Sequence, residues 1–170
     1  GMAPWSSMTH GPMDRKGSMG PKTHARIFEL LLRRRANPFW PAVHASTVPF
    51  FLIDKNKKVA DQYGIIIGSS HCEPMMCNAN GEWKYRGKGD YNYVTNRENL
   101  LSFWQQRVQQ LAGSDNLYTL GLRGIHDGPM QGAKSVEEQK KALTDILKDQ
   151  REILVKYINP DLTKIPQVFI

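Results

Sequence analysis

Cysteine is scarce in this 170-residue chain, and its scarcity argues against two classes of protein. The two cysteines, Cys72 and Cys77, stand five positions apart with no second pair, so their spacing indicates neither a structural zinc site nor a disulfide framework. We therefore expect both to be free thiols. Long apolar runs are also missing, because no stretch approaches the ~18 residues that a membrane-spanning helix needs.

A secretory signal peptide is not recognisable either, and Gly1-Met2 fits a tag remnant or a cut within a longer protein. The composition is 40% hydrophobic and 23% charged, which is typical of one globular domain. A net charge of +7 favours anionic partners such as nucleic acid, an acidic membrane or an acidic sugar. The charges are dispersed in short clusters over several elements and do not form the aromatic-interleaved face of a single-strand binding protein, so we favour a solvated surface over nucleic-acid binding.

Apolar spacing predicts a regular alternation of helices and strands. Helices are predicted at residues 21–35, 57–63, 100–113 and 136–157, and strands at residues 37–43, 65–67, 117–122 and 165–170. Thr23 is a candidate cap of the first helix, Ser135 with Glu138 forms a capping box, and residues 74–96 resemble a long ordered loop.

This alternation is the βα repeat of a parallel sheet or barrel. A closed eightfold barrel needs about 250 residues. The predicted fold class is therefore α/β, with residues 1–170 supplying about four βα units of a (β/α)8 TIM-type barrel.

Chemistry-bearing side chains follow the predicted strands, where the loops of a parallel barrel converge on one mouth. The candidates are Trp40 and His44 after the first strand, His71, Cys72 and Glu73 after the second, and Arg123, His126 and Asp127 after the third. Each has a plainer interpretation: Trp40 as a core aromatic, His44 as a loop residue, and Arg123 with Asp127 as a loop-closing ion pair.

Two other chemistries receive less support from the spacing. A metal site would need His71, Glu73, His126 and Asp127 to converge, which their spacing allows without requiring. A serine nucleophile would need a Gly-x-Ser-x-Gly elbow, and the segment that begins at Gly68 lacks the second glycine.

Six segments, in this order along the chain, together resemble one family. They are Asn37-Pro-Phe-Trp-Pro-Ala42, Ala60-Asp-Gln-Tyr-Gly-Ile-Ile-Ile-Gly-Ser-Ser-His-Cys-Glu-Pro-Met75, Glu82-Trp83, Tyr93-x-x-Asn96, Phe103-Trp104 and Thr119-Leu-Gly-Leu-Arg-Gly-Ile-His-Asp127. The chain resembles glycoside hydrolase family 115, the xylan α-1,2-glucuronidases. The resemblance implies that residues 1–170 are part of the catalytic barrel of a larger multidomain enzyme, secreted or periplasmic.

The resemblance also implies a reaction and roles for the candidate residues. The expected reaction is inverting removal of (4-O-methyl)glucuronic acid from glucuronoxylan or its oligosaccharides, without a metal or other cofactor. Asp127 and Glu73 would supply carboxyls, and Arg123 would bind the substrate carboxylate with two parallel hydrogen bonds. His71, Trp40, His44 and His126 would complete the sugar contacts.

Three departures from the family pattern bear on the site. His44 stands where the family usually has a second tryptophan, Cys72 where it has a second histidine, and Ile125-His126 where it has Asp-Gly. They motivate an alternative, a carbohydrate-binding relative without catalysis. A chain of these 170 residues alone is expected to be inactive, because acidic residues of the family pattern lie outside it, and its open sheet edges predict a homodimer or aggregate.

Overall fold

The computed structural model describes residues 19–170, which fold as alternating helices and short strands. The helices are α1 (Pro21–Arg33), α2 (Asp54–Gln62), α3 (Trp83–Arg86), α4 (Tyr93–Gln110) and α5 (Val136–Tyr157). The strands are β1 (Pro38–Phe39), β2 (Ile66–Ile67), β3 (Tyr118–Leu120) and β4 (Gln167–Phe169). Single turns of 3₁₀ helix lie at Phe50–Leu52, Pro74–Met76, Ile125–Asp127 and Leu162–Lys164.

The strands pair in parallel, in the order of the sequence. β1 pairs with β2, β3 pairs with β4, and a single parallel bridge between Ile67 and Asn116 connects the two pairs. The Leu117 N–H donates to the Ile67 carbonyl at 3.0 Å, which fixes this connection. The predicted α/β class is thus confirmed. The described strands are only two or three residues long and do not by themselves form a closed barrel.

Helix boundaries agree with the capping chemistry, with two corrections. The capping box of Ser135 and Glu138 is present at the start of α5. The prediction that Thr23 caps α1 is wrong, because α1 begins at Pro21 after Gly20 and Thr23 is buried within the first turn. Proline suits this first position, where its missing N–H would have no intrahelical partner.

The second correction concerns residues 74–96, predicted as one loop. This segment contains a 3₁₀ turn, helix α3 and the first turn of α4. Helix α4 begins before Asn96 because the Asn92 side chain accepts hydrogen bonds from the Val94 and Thr95 amides. At Asn96 the backbone leaves helical geometry, with a φ of −138°, so the regular part of α4 starts near the predicted position.

The core lies between the strands and the apolar faces of α4 and α5. Its largest fully buried side chains include Trp104, Tyr118, Phe28, Phe103, Ile65, Ile67, Leu100 and Ile146. Each such aliphatic or aromatic side chain stabilises the fold by about 1.5–3 kcal/mol relative to an exposed one. This packing holds the carboxyl ends of β2 and β3 side by side.

Both cysteines are free thiols, as predicted, and both are buried. Among residues 19–170, no helix combines the length and apolarity needed to cross a membrane.

Candidate active site

Two loops that leave neighbouring strands meet at one carboxylate. His71 Nε2 lies within hydrogen-bond distance of Asp127 Oδ1, the Cys72 thiol lies 3.9 Å from the same oxygen, and Arg123 Nη1 lies 3.7 Å from it. We refer to His71, Cys72, Arg123 and Asp127 as the Asp127 cluster. His71 and Cys72 stand 56 and 55 positions before Asp127, so the parallel pairing of the strands brings them together.

Hydrogen bonds hold the segment that follows β2 against β3, beneath the Asp127 cluster. The Thr119 hydroxyl donates to the Ser69 carbonyl, and the Ser69 hydroxyl donates to the Glu73 carbonyl at 2.8 Å. The Glu73 N–H donates to the Ser70 carbonyl at 2.9 Å and closes a tight turn. His71 and Cys72 lie at the tip of this turn, which holds them toward Asp127.

The turn that carries Asp127 is closed by its own backbone. The Gly124 N–H donates to the Gly128 carbonyl at 2.8 Å, and a Cβ on Gly124 would lie 2.4 Å from the Pro129 carbonyl. His126 and Asp127 inside the turn have left-handed φ values of 55° and 63°. Such conformations cost on the order of 1–3 kcal/mol per residue and are concentrated at functional sites.

Glu73 is placed differently from the other predicted site residues. Glu73 is only 3% exposed, and its Oε1 accepts a hydrogen bond from Asn78 Nδ2 at 3.0 Å. Burial raises the pKa of this carboxyl to about 8, so it is protonated at neutral pH. Glu73 therefore lies beneath the turn, outside the contacts of the Asp127 cluster.

The remaining predicted residues, Trp40, His44 and His126, have contacts outside the cluster. The half-exposed Trp40 indole packs on Gly68, where a Cβ would lie 2.1 Å from the indole Nε1. His44 is exposed, with its Nδ1 2.8 Å from the Ser46 hydroxyl. The His126 side chain is exposed, and its backbone N–H donates to Asn80 Oδ1 at 2.9 Å.

Asn80 is a residue that the sequence reasoning missed. Its Nδ2 donates to the Val43 carbonyl at 3.2 Å while its Oδ1 accepts from His126, so it connects the loop after β1 to the loop after β3. An asparagine next to Gly81 is ordinary turn composition. No local signal in the sequence distinguishes this one.

A second carboxylate is surrounded by cations inside the core. Glu82 Oε1 accepts from Arg86 Nη1 at 2.6 Å and from Arg107 Nη2, and Glu82 Oε2 accepts from the Asn78 N–H at 3.3 Å. The Arg107 guanidinium also stacks on the Phe51 ring, 4.5 Å from its centroid. We call Glu82, Arg86 and Arg107 the Glu82 cluster. Its carboxylate is fully buried and accepts three hydrogen bonds, which is typical of a structural ion pair.

Two surface clefts are large enough to hold a small ligand. A cleft of about 580 Å³ opens beside Arg123 and Asp127 and is bounded by Leu122, Met130 and Ile170. A larger one, about 690 Å³, lies between α4 and α5, but its buried Asp149 is already bound by both Nε and Nη2 of Arg97. The smaller cleft is the better candidate because Arg123 and Asp127, which line it, have side chains 46% and 63% exposed.

Comparison with known proteins identifies the family of the chain. The family model for Glycosyl hydrolase family 115 matches residues 1–170. A solved 4-O-methyl-α-glucuronidase of that family, with specificity for decorated arabinogalactans, is 58% identical to the chain and superposes with a TM-score of 0.94. The match covers 98% of this chain and 22% of that one. No curated protein sequence matches the chain.

Proposed function

Because the chain belongs to glycosyl hydrolase family 115, we propose that the protein containing it is an inverting α-glucuronidase whose sugar site includes the Asp127 cluster. Its substrate would be a plant polysaccharide that carries (4-O-methyl)glucuronic acid side chains. The observation that carries the proposal is the convergence of His71, Arg123 and an exposed Asp127 carboxylate at the ends of two parallel strands.

The two candidate carboxyls, Asp127 and Glu73, differ in exposure and ionisation in the way that an inverting pair requires. Inversion needs one protonated carboxyl to give its proton to the leaving oxygen and one carboxylate to activate water. Burial keeps Glu73 protonated, and we assign it the role of proton donor. Because the residue is only 3% exposed, the turn above it must move for its carboxyl to reach the leaving oxygen. Asp127 has a side chain 63% exposed and a nearby guanidinium, and we assign it the activation of water.

The cations and aromatic side chains around Asp127 suit an acidic sugar. The Arg123 guanidinium can bind the glucuronate carboxylate with two parallel hydrogen bonds. His71 can exchange its bond to Asp127 for one to a sugar hydroxyl. The exposed face of Trp40 offers an apolar surface for the sugar ring, and His44 and His126 lie on the loops that border it.

Residues outside this chain complete the site in the proposal. The similar glucuronidase is several times longer than the chain, and four short parallel strands provide one part of a (β/α)8 barrel wall. The remaining strands would cover the open sheet edge beyond β4. They would also bring further polar side chains to the mouth.

The test is hydrolysis by the protein with the residues flanking this chain retained. We expect release of (4-O-methyl)glucuronic acid from substituted arabinogalactan or from glucuronoxylan oligosaccharides, with the β-anomer as the first product seen by ¹H NMR. Comparison of the two substrates decides between the specificity of the similar enzyme and that of the xylan-directed members. Release of the α-anomer would contradict inversion, and calorimetric binding without release would favour a non-catalytic sugar-binding protein.

A further inference from the structure

The Asp127 cluster contains the three ligand types that zinc prefers. His71 Nε2, the Cys72 sulfur and a carboxylate oxygen of Asp127 all lie within 4.8 Å of one another. Among residues 19–170, this is the one group of at least three histidine, cysteine or acidic side chains whose ligand atoms lie close enough together to hold an ion. We propose that these three side chains form a binding site for one Zn²⁺ ion or a chemically similar divalent cation.

The donor set selects the kind of cation. A thiolate and an imidazole favour Zn²⁺ and Co²⁺ over Mg²⁺ and Ca²⁺, which prefer oxygen ligands alone. A thiolate and a carboxylate together carry two negative charges and so neutralise a divalent ion. The site shares His71 and Asp127 with the sugar contacts proposed above, so a bound ion and a bound substrate would exclude each other.

The geometry requires one local adjustment. Tetrahedral zinc with bonds of about 2.0–2.3 Å separates its ligand atoms by roughly 3.3–3.8 Å. The contact between Cys72 Sγ and Asp127 Oδ1, at 3.9 Å, is already close to this spacing. The hydrogen bond between His71 and Asp127 must open so that the ion replaces the proton between them.

The two loops differ in how readily they accommodate that change. The turn at His71 and Cys72 is held from below by the bonds of Ser69 and Glu73, and the Cys72 carbonyl accepts from the Ala79 N–H at 3.1 Å. The Asp127 side chain is 63% exposed and can rotate. The histidine and the thiol therefore form the fixed half of the site, and the carboxylate closes it from solvent.

Arg123 is the charge that opposes the cation. Its Nη1 lies 3.7 Å from Asp127 Oδ1, so a bound ion would repel it. The Arg123 side chain is 46% exposed, which lets the guanidinium move into water at little cost. A water molecule could then occupy the fourth coordination position from the solvent side of Asp127, as in zinc sites with three protein ligands.

Co²⁺ titration tests the site directly, because a thiolate bound to Co²⁺ produces a charge-transfer band in the near ultraviolet. The protein, with its flanking residues, is stripped of metal, kept reduced and titrated without any sugar, so the result is independent of the proposed glucuronidase activity. We expect a band that saturates at one equivalent per protein and disappears when Zn²⁺ is added.

Matched variants assign the band to this site. Cys72→Ser should abolish it, and His71→Gln and Asp127→Asn should each weaken the affinity about tenfold or more. Cys77→Ala is the control, because that thiol is buried and donates to the Phe103 carbonyl at 3.6 Å, outside the cluster. Near-ultraviolet circular dichroism confirms folding of each variant. A band that survives Cys72→Ser, or a parent protein that forms no band, would overturn the proposal.

Discussion

The Asp127 cluster and the Glu82 cluster contain the same kinds of charged group in opposite surroundings. Each centres on a carboxylate next to arginine, but the Glu82 carboxylate is fully buried whereas the Asp127 side chain is 63% exposed. Glu82 accepts bonds from two guanidinium groups and a backbone N–H, so most of its acceptor sites are occupied. Asp127 is accessible to solvent and can exchange partners.

The difference separates a structural ion pair from a site that can react. Breaking a buried pair leaves an uncompensated charge in the core, whereas exposed pairs contribute little to stability. A carboxylate that takes part in chemistry must change partners with substrate and water. Changes at Glu82 should therefore affect the free energy of unfolding, and changes at Asp127 should affect turnover.

Of the substitutions considered, Asp127→Asn should have the largest effect, and that effect is on turnover. Loss of the proposed general base is expected to lower kcat about 10²–10⁴-fold, because an amide cannot take a proton from water. The measurement is release of glucuronic acid by the protein with its flanking residues, with Asp115→Asn as the control. Asp115 is also an exposed aspartate, on the segment before β3. Equal turnover in the two variants would remove Asp127 from the mechanism.

Glu82→Gln should produce the largest loss of stability. The substitution leaves Arg107 buried without its anionic partner, which costs about 3–5 kcal/mol of the free energy of unfolding. Urea denaturation measures this loss, and Glu98→Gln, at an exposed position on α4, is the matched control. The comparison between the clusters fails if Asp127→Asn destabilises the fold as much as Glu82→Gln does.

Glu73 adds a pH dependence of stability. Burial raises its pKa from 4.5 to about 8, so between these values the folded state holds a proton that the unfolded state releases. This contribution is complete below about pH 4.5 and is lost as the pH rises toward 8, at about 1.4 kcal/mol per pH unit. The free energy of unfolding of the parent, measured by urea denaturation across this pH range, should fall with that slope. Glu73→Gln should flatten it, and an unchanged slope would show that another group titrates.

Arg123→Lys should have the smallest of the four effects. Lysine keeps the positive charge but loses the planar pair of donors, so KM for a glucuronate substrate should rise about tenfold with little change in kcat. The same change at the exposed Arg34 serves as the control. A purely structural role for Arg123 would instead lower the melting temperature and leave KM unchanged.

Much of the fold could be predicted because its signals are local. The capping box of Ser135 and Glu138 and the apolar spacing after it located α5 at both ends. The isoleucines of β2 between Gly64 and Gly68 indicated a buried strand. Segment 74–96 was harder because α3 is only four residues long and the first turn of α4 depends on the cap at Asn92.

The candidate site was predictable in part. The positions of His71 and Asp127 after two strands predicted that they would lie close together, and they are in contact. The burial of Glu73 and the bridging role of Asn80 depend on side-chain directions and on contacts across 35 or more residues. The polar sequence around them carries no periodic signal for either, so only the three-dimensional packing shows which polar side chains turn inward.

The packing of Trp40 on Gly68 has an optical consequence. The Trp40 indole is half exposed next to the proposed sugar site, whereas Trp83 and Trp104 are buried. An indole in water emits at longer wavelength than one in the core, so Trp40 contributes the red edge of the emission from this part of the chain. A sugar ring that covers it would shift that edge to the blue, and the protein would report occupancy of the site without an added label.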